Sequence, residues 1–269
     1  MSGSLLSGSV LECVRLKLQM SKPAARSFGD SVSSSTARAL AANGAKVACL
    51  DVNMKGAEAV AADIGGAAIR CDVSSAESGV AAMAEIREKL GDWPRILVNC
   101  AGIGTVGKTV GKEGALNLEV FQRTVNVNLV GSFNMIRLMA EKCQDMDPLD
   151  GGERGVIINT ASVAAFDGQI GQAAYSASKG GVVGMTLPIA RDLAASGIRV
   201  CTIAPGLFLT PLFDTLSDEA KQSLAASVPF PSRLGDPSEY AVLARHIVEN
   251  AMLNGETIRL DGAIRMAPR

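Results

Sequence analysis

Two side chains with complementary acid-base chemistry stand four residues apart in the segment YSASK, Tyr175 and Lys179. The surrounding residues predict a helix over 174–195, and positions four apart share one face of a helix. A nearby ammonium stabilises a phenolate, so the spacing predicts that the pKa of Tyr175 is lowered toward neutrality. Such a phenol can exchange a proton with the hydroxyl group of a substrate.

A third polar residue, Ser162, follows a predicted strand at 155–160. Open α/β sheets bind ligands at the carboxyl ends of their strands, so the Ser162 hydroxyl is expected beside such a ligand. His246 is the only histidine, which excludes Ser-His-Asp and Cys-His nucleophiles, H-E-x-x-H metalloproteases and multi-histidine metal sites. Proton chemistry in this chain must therefore use Tyr, Lys, Asp or Glu, and no metal is expected.

Short β-branched runs alternate with helical stretches along the chain, which predicts the elements that position these residues. Strands are predicted at 46–51, 68–72, 95–100, 155–160, 198–203 and 257–260, and helices at 35–42, 56–64, 77–90, 118–143, 174–195 and 238–250. This order requires parallel strands joined by right-handed crossovers. We therefore predict an α/β fold, a single-domain Rossmann-like doubly wound parallel sheet with helices on both faces.

Charge and hydropathy exclude several classes of partner. The chain has 26 Lys plus Arg against 27 Asp plus Glu, a net charge of −1 that predicts no nucleic-acid partner. The longest stretch without a charged residue has 14 residues, 200–213, and includes two prolines, so no membrane span is expected. Six cysteines without a C-x-x-C pair indicate buried thiols rather than disulfides or a zinc site.

Four motifs occur in an order that resembles the short-chain dehydrogenase/reductase family. They are N-C-A-G at 99–102, Asn128 in VNVNLVG, Ser162 thirteen residues before Y-x-x-x-K at Tyr175 and Lys179, and PGLFLT at 205–210. The likeness runs from about Thr36 to Met266. It implies an NAD-dependent oxidoreductase that interconverts a secondary alcohol and a ketone.

The resemblance also implies roles for individual residues. Tyr175 would be the acid/base, Lys179 would lower its pKa and bind the nicotinamide ribose, Ser162 would hold the reacting oxygen, and Asn128 would support a proton-relaying water. Alternatively, Asn128 is a mid-helix polar group satisfied by the backbone. The implied NAD contacts are Asp51, Asp72, Val73, Cys100, Ala101, Gly102, Tyr175, Lys179, Pro205, Gly206, Phe208 and Thr210.

Two of these contacts have their own arguments. Asp51 closes the predicted strand KVACLD, and a carboxylate there accepts hydrogen bonds from a ribose diol but repels a 2′-phosphate. The residue type therefore favours NAD over NADP. Asp72 resembles an adenine contact of the family, but a helix N-cap or turn residue is the alternative interpretation.

The N-terminus departs from the family pattern, so we divide the chain into an atypical segment, 1–30, and a dehydrogenase domain, 31–269. When the family's T-G-x-x-x-G-x-G loop is aligned with this chain without a gap, its threonine falls on Arg26 and its three glycines fall on Ser27, Ser31 and Ser33. The preceding strand would fall on 20–25, which contains Lys and Pro, so 10–18 is an alternative strand. A rebuilt loop with weakened NAD binding, an impaired relative, and an error of frame or splicing remain open.

Longer segments resemble the family's 3-hydroxyacyl-CoA dehydrogenases, among them VPFPSRLGDP and NGETIRLDGAIRM. This implies an alcohol or acyl-CoA substrate, with tolerance of hydroxysteroids, and a homotetramer. The implied location is intracellular, cytoplasmic in a bacterium and the mitochondrial matrix in a eukaryote. The apolar residues of 207–230 predict a lid over the site, or else a surface helix packed on the core. A noncatalytic binding or assembly protein is the alternative function.

Overall fold

The computed structural model describes residues 10–14, 31–211 and 216–268, in which strands and helices alternate. The strands are β1 (Val10–Val14), β2 (Lys46–Asp51), β3 (Ala67–Arg70), β4 (Ile96–Asn99), β5 (Val110–Gly111), β6 (Gly114–Ala115), β7 (Gly155–Thr160), β8 (Ile198–Pro205) and β9 (Thr257–Leu260). The α-helices are α1 (Val32–Ala42), α2 (Met54–Ile64), α3 (Ala76–Leu90), α4 (Leu118–Val125), α5 (Gly131–Cys143), α6 (Ala173–Leu193), α7 (Asp218–Ala226) and α8 (Pro237–Glu249).

Seven strands form one twisted sheet in the order β3-β2-β1-β4-β7-β8-β9. The pairs β2–β3, β4–β7, β7–β8 and β8–β9 are parallel. The predicted doubly wound α/β fold is confirmed, and the six predicted strands occur within two residues of their expected ends. The carboxyl ends of β4 and β7 are aligned, since Asn99 pairs with Asn159.

Alternating side chains of the sheet enter two separate cores. In β4, Leu97 packs into the core beneath α3, α5 and α6, whereas Ile96 and Val98 pack into the core beneath α1, α2 and α8. All three side chains are buried. Because successive residues of a strand point to opposite faces, a continuous apolar run is what a sheet covered on both sides requires.

Strand β1 differs from the prediction in its direction. It lies between β2 and β4 but pairs antiparallel with both, with Val10 opposite Leu50 and Asn99. An antiparallel strand also completes the backbone ladders of both neighbours. The alternative strand predicted at 10–18 is therefore found at Val10–Val14, reversed relative to the parallel strands around it.

The long helix predicted over 118–143 is interrupted. A π-helical turn, Asn126–Val130, separates α4 from α5, and such turns occur often at functional sites. Helix α7 lies within 207–230, where a surface helix was the alternative to a lid, whereas the hairpin formed by β5 and β6 was not predicted.

The N-terminal loop can be assessed only in part. The strand position 20–25 and the loop positions Arg26 and Ser27 lie outside the described residues. Ser31 is the N-cap of α1, and its hydroxyl accepts a hydrogen bond from the Ser34 amide, while the Ser34 hydroxyl accepts one from the Ser31 amide. These serines thus satisfy helix-terminal amides themselves.

Four cysteines of the described part of the chain are free thiols: Cys49, Cys143 and Cys201 are buried, and Cys100 is half-buried. Among the helices of the described residues, none has the length and apolarity needed to cross a bilayer.

A buried arginine, Arg199 near the start of β8, connects the sheet to the end of α8. It donates one hydrogen bond to the carbonyl of Ile247 in the last turn of α8 and one to the carbonyl of Leu253 beyond that helix, each at 2.8 Å. Its guanidinium also pairs with Glu153 through two hydrogen bonds, of 2.9 and 3.1 Å. The planar fork of arginine satisfies this many acceptors at once, which lysine cannot do.

We predict that Arg199→Met lowers the free energy of unfolding by about 3–5 kcal/mol, because it leaves Glu153 and several buried carbonyls without their donor. Urea unfolding followed by circular dichroism measures this change. Lys221→Met is the control, because its 3.9 Å pair with Asp218 is exposed on the Asp218 side and should contribute less than about 1 kcal/mol. A loss below 1 kcal/mol in Arg199→Met would contradict the assignment.

Candidate active site

The end of β7 places Ser162 at the carboxyl edge of the sheet. Thr160 is the last residue of the strand, and Ser162 begins a short 3₁₀ turn, Val163–Ala165. The Ser162 backbone is extended, and its hydroxyl accepts a hydrogen bond of 3.1 Å from the Ala164 amide. The Ser162 hydroxyl can still donate, and it lies close enough to Tyr175 to affect the pKa of that phenol.

Helix α6 carries Tyr175 and Lys179 on one face, as predicted. The Lys179 side chain is buried, with 4% of its surface exposed, and its Nζ donates a 2.7 Å hydrogen bond to the Thr160 carbonyl. The same Nζ lies 5.9 Å from the centre of the Tyr175 ring. The structure therefore brings together three of the predicted catalytic side chains, Ser162, Tyr175 and Lys179.

Burial governs the protonation of this group. It lowers the pKa of Lys179 to about 8, since a low-dielectric site disfavours the ammonium. Burial also raises the pKa of Tyr175, and the hydrogen bond with Ser162 opposes that rise. The prediction that the Tyr175 pKa is lowered was wrong for this structure, because desolvation of the phenolate outweighs the stabilising contacts. At neutral pH the phenol is protonated and can serve as an acid.

Asn128 lies in the π-helical turn and is completely buried. Its Oδ1 accepts from the Ile103 amide at 2.8 Å, and its Nδ2 donates to the Ile103 carbonyl at 3.0 Å and to Ser178 Oγ at 2.9 Å. The backbone carbonyl of Asn128 accepts from Ser132 Oγ at 2.7 Å. The side chain thus joins the segment after the N-C-A-G turn to α6, and its water-relaying role stays a prediction.

The space beside Gly102 in the N-C-A-G turn is tight. A Cβ atom at Gly102 would lie 3.3 Å from both Lys179 Nζ and Asn128 Oδ1. The backbone of the turn therefore passes directly beside the buried ammonium. Ala101 is buried and Cys100 is half-buried at the same end of β4.

The residues expected to bind NAD are not equivalent in the structure. Asp51 is buried at the end of β2, and its Oδ1 accepts a 2.8 Å hydrogen bond from the Asn53 amide. Asp72 is exposed and closes a turn, with Oδ1 accepting from the amide and hydroxyl of Ser74. Asp72 therefore has the turn role that was its alternative interpretation, and its adenine contact stays a prediction.

The remaining cofactor candidates fall into two groups. Val73 is buried against Gly131, and Phe208 packs into the core beneath α8. Neither apolar side chain is therefore directed at solvent. In contrast, Pro205, Gly206 and Thr210 are half-buried at and after the end of β8.

The predicted lid, 207–230, also contains both exposed and buried side chains. Leu209 and Leu216 are exposed, and none of the α7 side chains is buried. Val228, at the far end of the segment, packs with Val163 and Ile264. Leu212 and Phe213 lie outside the described residues.

Sequence reasoning missed an ion cluster beside the site. Arg259 of β9 donates to Asp167 and to Asp261, each at 2.6 Å, and to the Ile264 carbonyl at 2.9 Å. Nearby, the amide of Ile170 donates to the Pro268 carbonyl at 3.0 Å. These contacts hold the C-terminal residues against the loop between Ser162 and Tyr175. The separation of Arg259 from Asp167 along the chain leaves no local signal for the contact.

Comparisons with known proteins agree with this geometry. The family model "short chain dehydrogenase" matches residues 28–221. The 3-hydroxyacyl-CoA dehydrogenase type-2 of Bos taurus is 58% identical over 237 residues, covering 87% of this chain and 90% of the relative. That of Drosophila melanogaster is 53% identical, covering 87% and 92%. A crystal structure of 3-hydroxyacyl-CoA dehydrogenase type-2 from Mycobacterium avium has a TM-score of 0.82 and 38% identity, covering 88% of this chain and 93% of that chain.

We predict that Arg259→Lys lowers the free energy of unfolding by about 1–2 kcal/mol, because lysine cannot hold two carboxylates and a carbonyl in one plane, and the pair is partly exposed. Turnover should fall as well, since the loop that separates Ser162 from Tyr175 loses an anchor. Urea unfolding and initial rates measure the two effects. Arg191→Lys, on α6, is the control; equal stability and rate in Arg259→Lys and the control would contradict this role.

Proposed function

The chain belongs to the short chain dehydrogenase family, and on that premise we propose that it uses NAD to oxidise the 3-hydroxyl group of short 3-hydroxyacyl-CoA esters. The observation that carries the proposal is the contact of Ser162 with Tyr175 beside the buried ammonium of Lys179. The substrate class is supported by the names of the similar enzymes. A homotetramer in the mitochondrial matrix or bacterial cytoplasm belongs to the same proposal.

The three side chains divide the proton chemistry among them. In ketone reduction the neutral phenol of Tyr175 donates its proton to the reacting oxygen, and in alcohol oxidation the phenolate, the minor form at neutral pH, takes the proton of the substrate hydroxyl. The Ser162 hydroxyl donates to the reacting oxygen and holds it beside the phenol. The Lys179 ammonium stabilises the phenolate electrostatically. NAD, when bound, would supply the hydride-accepting chemistry that the side chains of this chain lack.

Several described residues fit a dinucleotide. The Asp51 carboxylate at the end of β2 can accept hydrogen bonds from a ribose diol. The Lys179 ammonium can donate hydrogen bonds to the nicotinamide ribose. Gly102 leaves room beside the ammonium that a Cβ would restrict. We propose that these residues hold NAD.

The N-terminus of α1 supports weaker binding of the pyrophosphate. Helix-terminal amides bind phosphate when they are available, and here the Ser31 hydroxyl already accepts from the Ser34 amide. A bound anion would compete with this capping box. We therefore expect a larger NAD dissociation constant than in relatives whose loop is T-G-x-x-x-G-x-G.

We predict that Tyr175→Phe lowers turnover of a 3-hydroxyacyl-CoA by at least about 100-fold, because the ring is kept but the proton carrier is lost. NAD affinity, measured by calorimetry, should change less than about twofold, since the lysine remains in place. Lys179→Ala should impair both turnover and NAD binding. Turnover of Tyr175→Phe near that of the unmodified chain would refute the assignment.

We predict a preference for NAD over NADP that shrinks about tenfold or more in Asp51→Ala, because hydrogen bonds to a charged group contribute about 1.5–3 kcal/mol. Asp51→Asn separates two causes, since its amide oxygen can still accept from the Asn53 amide while the charge is removed. Ratios of kcat/KM for the two cofactors measure the preference. Asp63→Ala, an exposed carboxylate on α2, is the control; equal use of both cofactors by the unmodified chain would overturn this assignment.

A further inference from the structure

A chain of three polar groups ends beside the site on the α8 face of the sheet. Tyr240 of α8 is completely buried, and its hydroxyl lies 2.7 Å from Thr160 Oγ1. Thr160 Oγ1 in turn lies 3.5 Å from Cys100 Sγ. These groups have no part in the proton transfer described above.

Each of the two hydroxyls carries one proton. When Thr160 donates its proton to Cys100 Sγ, Tyr240 donates to Thr160 Oγ1; either oxygen of the Thr160–Tyr240 pair can be the donor. Burial raises the pKa of Tyr240 well above its usual value, which keeps this donor protonated. The side chain of Thr160 is thereby held from both sides, by α8 and by the N-C-A-G turn.

The carbonyl of the same threonine accepts the hydrogen bond from Lys179, which reaches it from α6 on the opposite face of the sheet. We propose that Tyr240 and Thr160 are positioning residues for Lys179. Together they fix the end of β7 so that the Thr160 carbonyl takes one of the three ammonium protons. The other two protons of the Lys179 ammonium remain available to hydrogen-bond on the side that faces Tyr175. This proposal rests on the proposed function for its catalytic meaning.

The variants Thr160→Val and Tyr240→Phe test the proposal, because each removes a hydroxyl and keeps the shape of the side chain. A less firmly held carbonyl is a poorer acceptor for the ammonium, so the charged form of Lys179 is less favoured. We expect the pKa of Lys179 to fall by about 0.5–1 unit below that of the unmodified chain in each variant. Thr160→Ser keeps a hydroxyl and should restore the original value.

The pKa is measured without substrate or NAD, by an NMR titration of protein carrying lysine labelled with ¹³C at Cε. The Lys179 signal is identified by its absence in Lys179→Arg. The alkaline limb of the pH profile of turnover provides a second readout, and it should move in the same direction as the Lys179 pKa. Failure of the unmodified chain to oxidise 3-hydroxyacyl-CoA would count against the proposed function, while the titration would still test this positioning role.

A second buried hydroxyl pair provides a matched control. Thr186 of α6 and Thr202 of β8 are joined by a 2.6 Å hydrogen bond, about two helical turns beyond Lys179. Thr202→Val should lower stability without moving the Lys179 pKa. The proposal is overturned if the Lys179 pKa in Thr160→Val and Tyr240→Phe equals that of the unmodified chain within the error of the titration, whether or not stability falls. Should Tyr240→Phe fail to fold, Thr160→Val alone decides.

Discussion

The buried ammonium of Lys179 is the constraint on which the geometry of the site depends. A charge with 4% of its surface exposed is tolerated only when a strong acceptor meets it, and the Thr160 carbonyl does so at 2.7 Å. This contact requires α6 to lie against the end of β7, which brings Tyr175 beside Ser162. Gly102 in the neighbouring turn suits this contact, because a Cβ atom there would lie 3.3 Å from the ammonium.

Several contacts between distant parts of the chain hold this arrangement in place. The Asn128 amide joins the turn after β4 to α6, and the π-helical turn around it interrupts an otherwise continuous helix. Arg259 attaches the C-terminal residues to the loop after Ser162. Arg199 likewise connects β8 to the end of α8, because it donates hydrogen bonds to the carbonyls of Ile247 and Leu253. The side chains proposed to be catalytic are thus oriented by polar contacts, while the two apolar cores support the sheet beneath them.

The part of the sheet around β7 and the part around β1 differ in how closely they follow the family pattern. Around β7 and α6 the residue types and contacts agree with a dehydrogenase. At the other end, β1 completes the sheet in the antiparallel direction and α1 begins with a serine capping box. The backbone ladders of β2 and β4 are satisfied in either direction of β1, so the sheet forms with a different course of the chain. This difference is the physical basis for proposing weaker dinucleotide binding with unchanged proton chemistry.

Local patterns in the sequence were sufficient to predict much of the fold and the residues proposed to be catalytic. The sequence alone determined six strands, most helices, and the shared helical face of Tyr175 and Lys179, because hydrophobic periodicity and helical spacing are properties of neighbouring residues. Only the tertiary structure decided the direction of β1, the raised pKa of Tyr175, and the partners of Lys179 and Arg259. Direction depends on which strands flank β1, desolvation depends on everything packed around a side chain, and Arg259 meets Asp167 across a sequence separation of 92 residues. The spacing of neighbouring residues therefore predicts neither the direction of β1, nor the pKa of Tyr175, nor these long-range contacts.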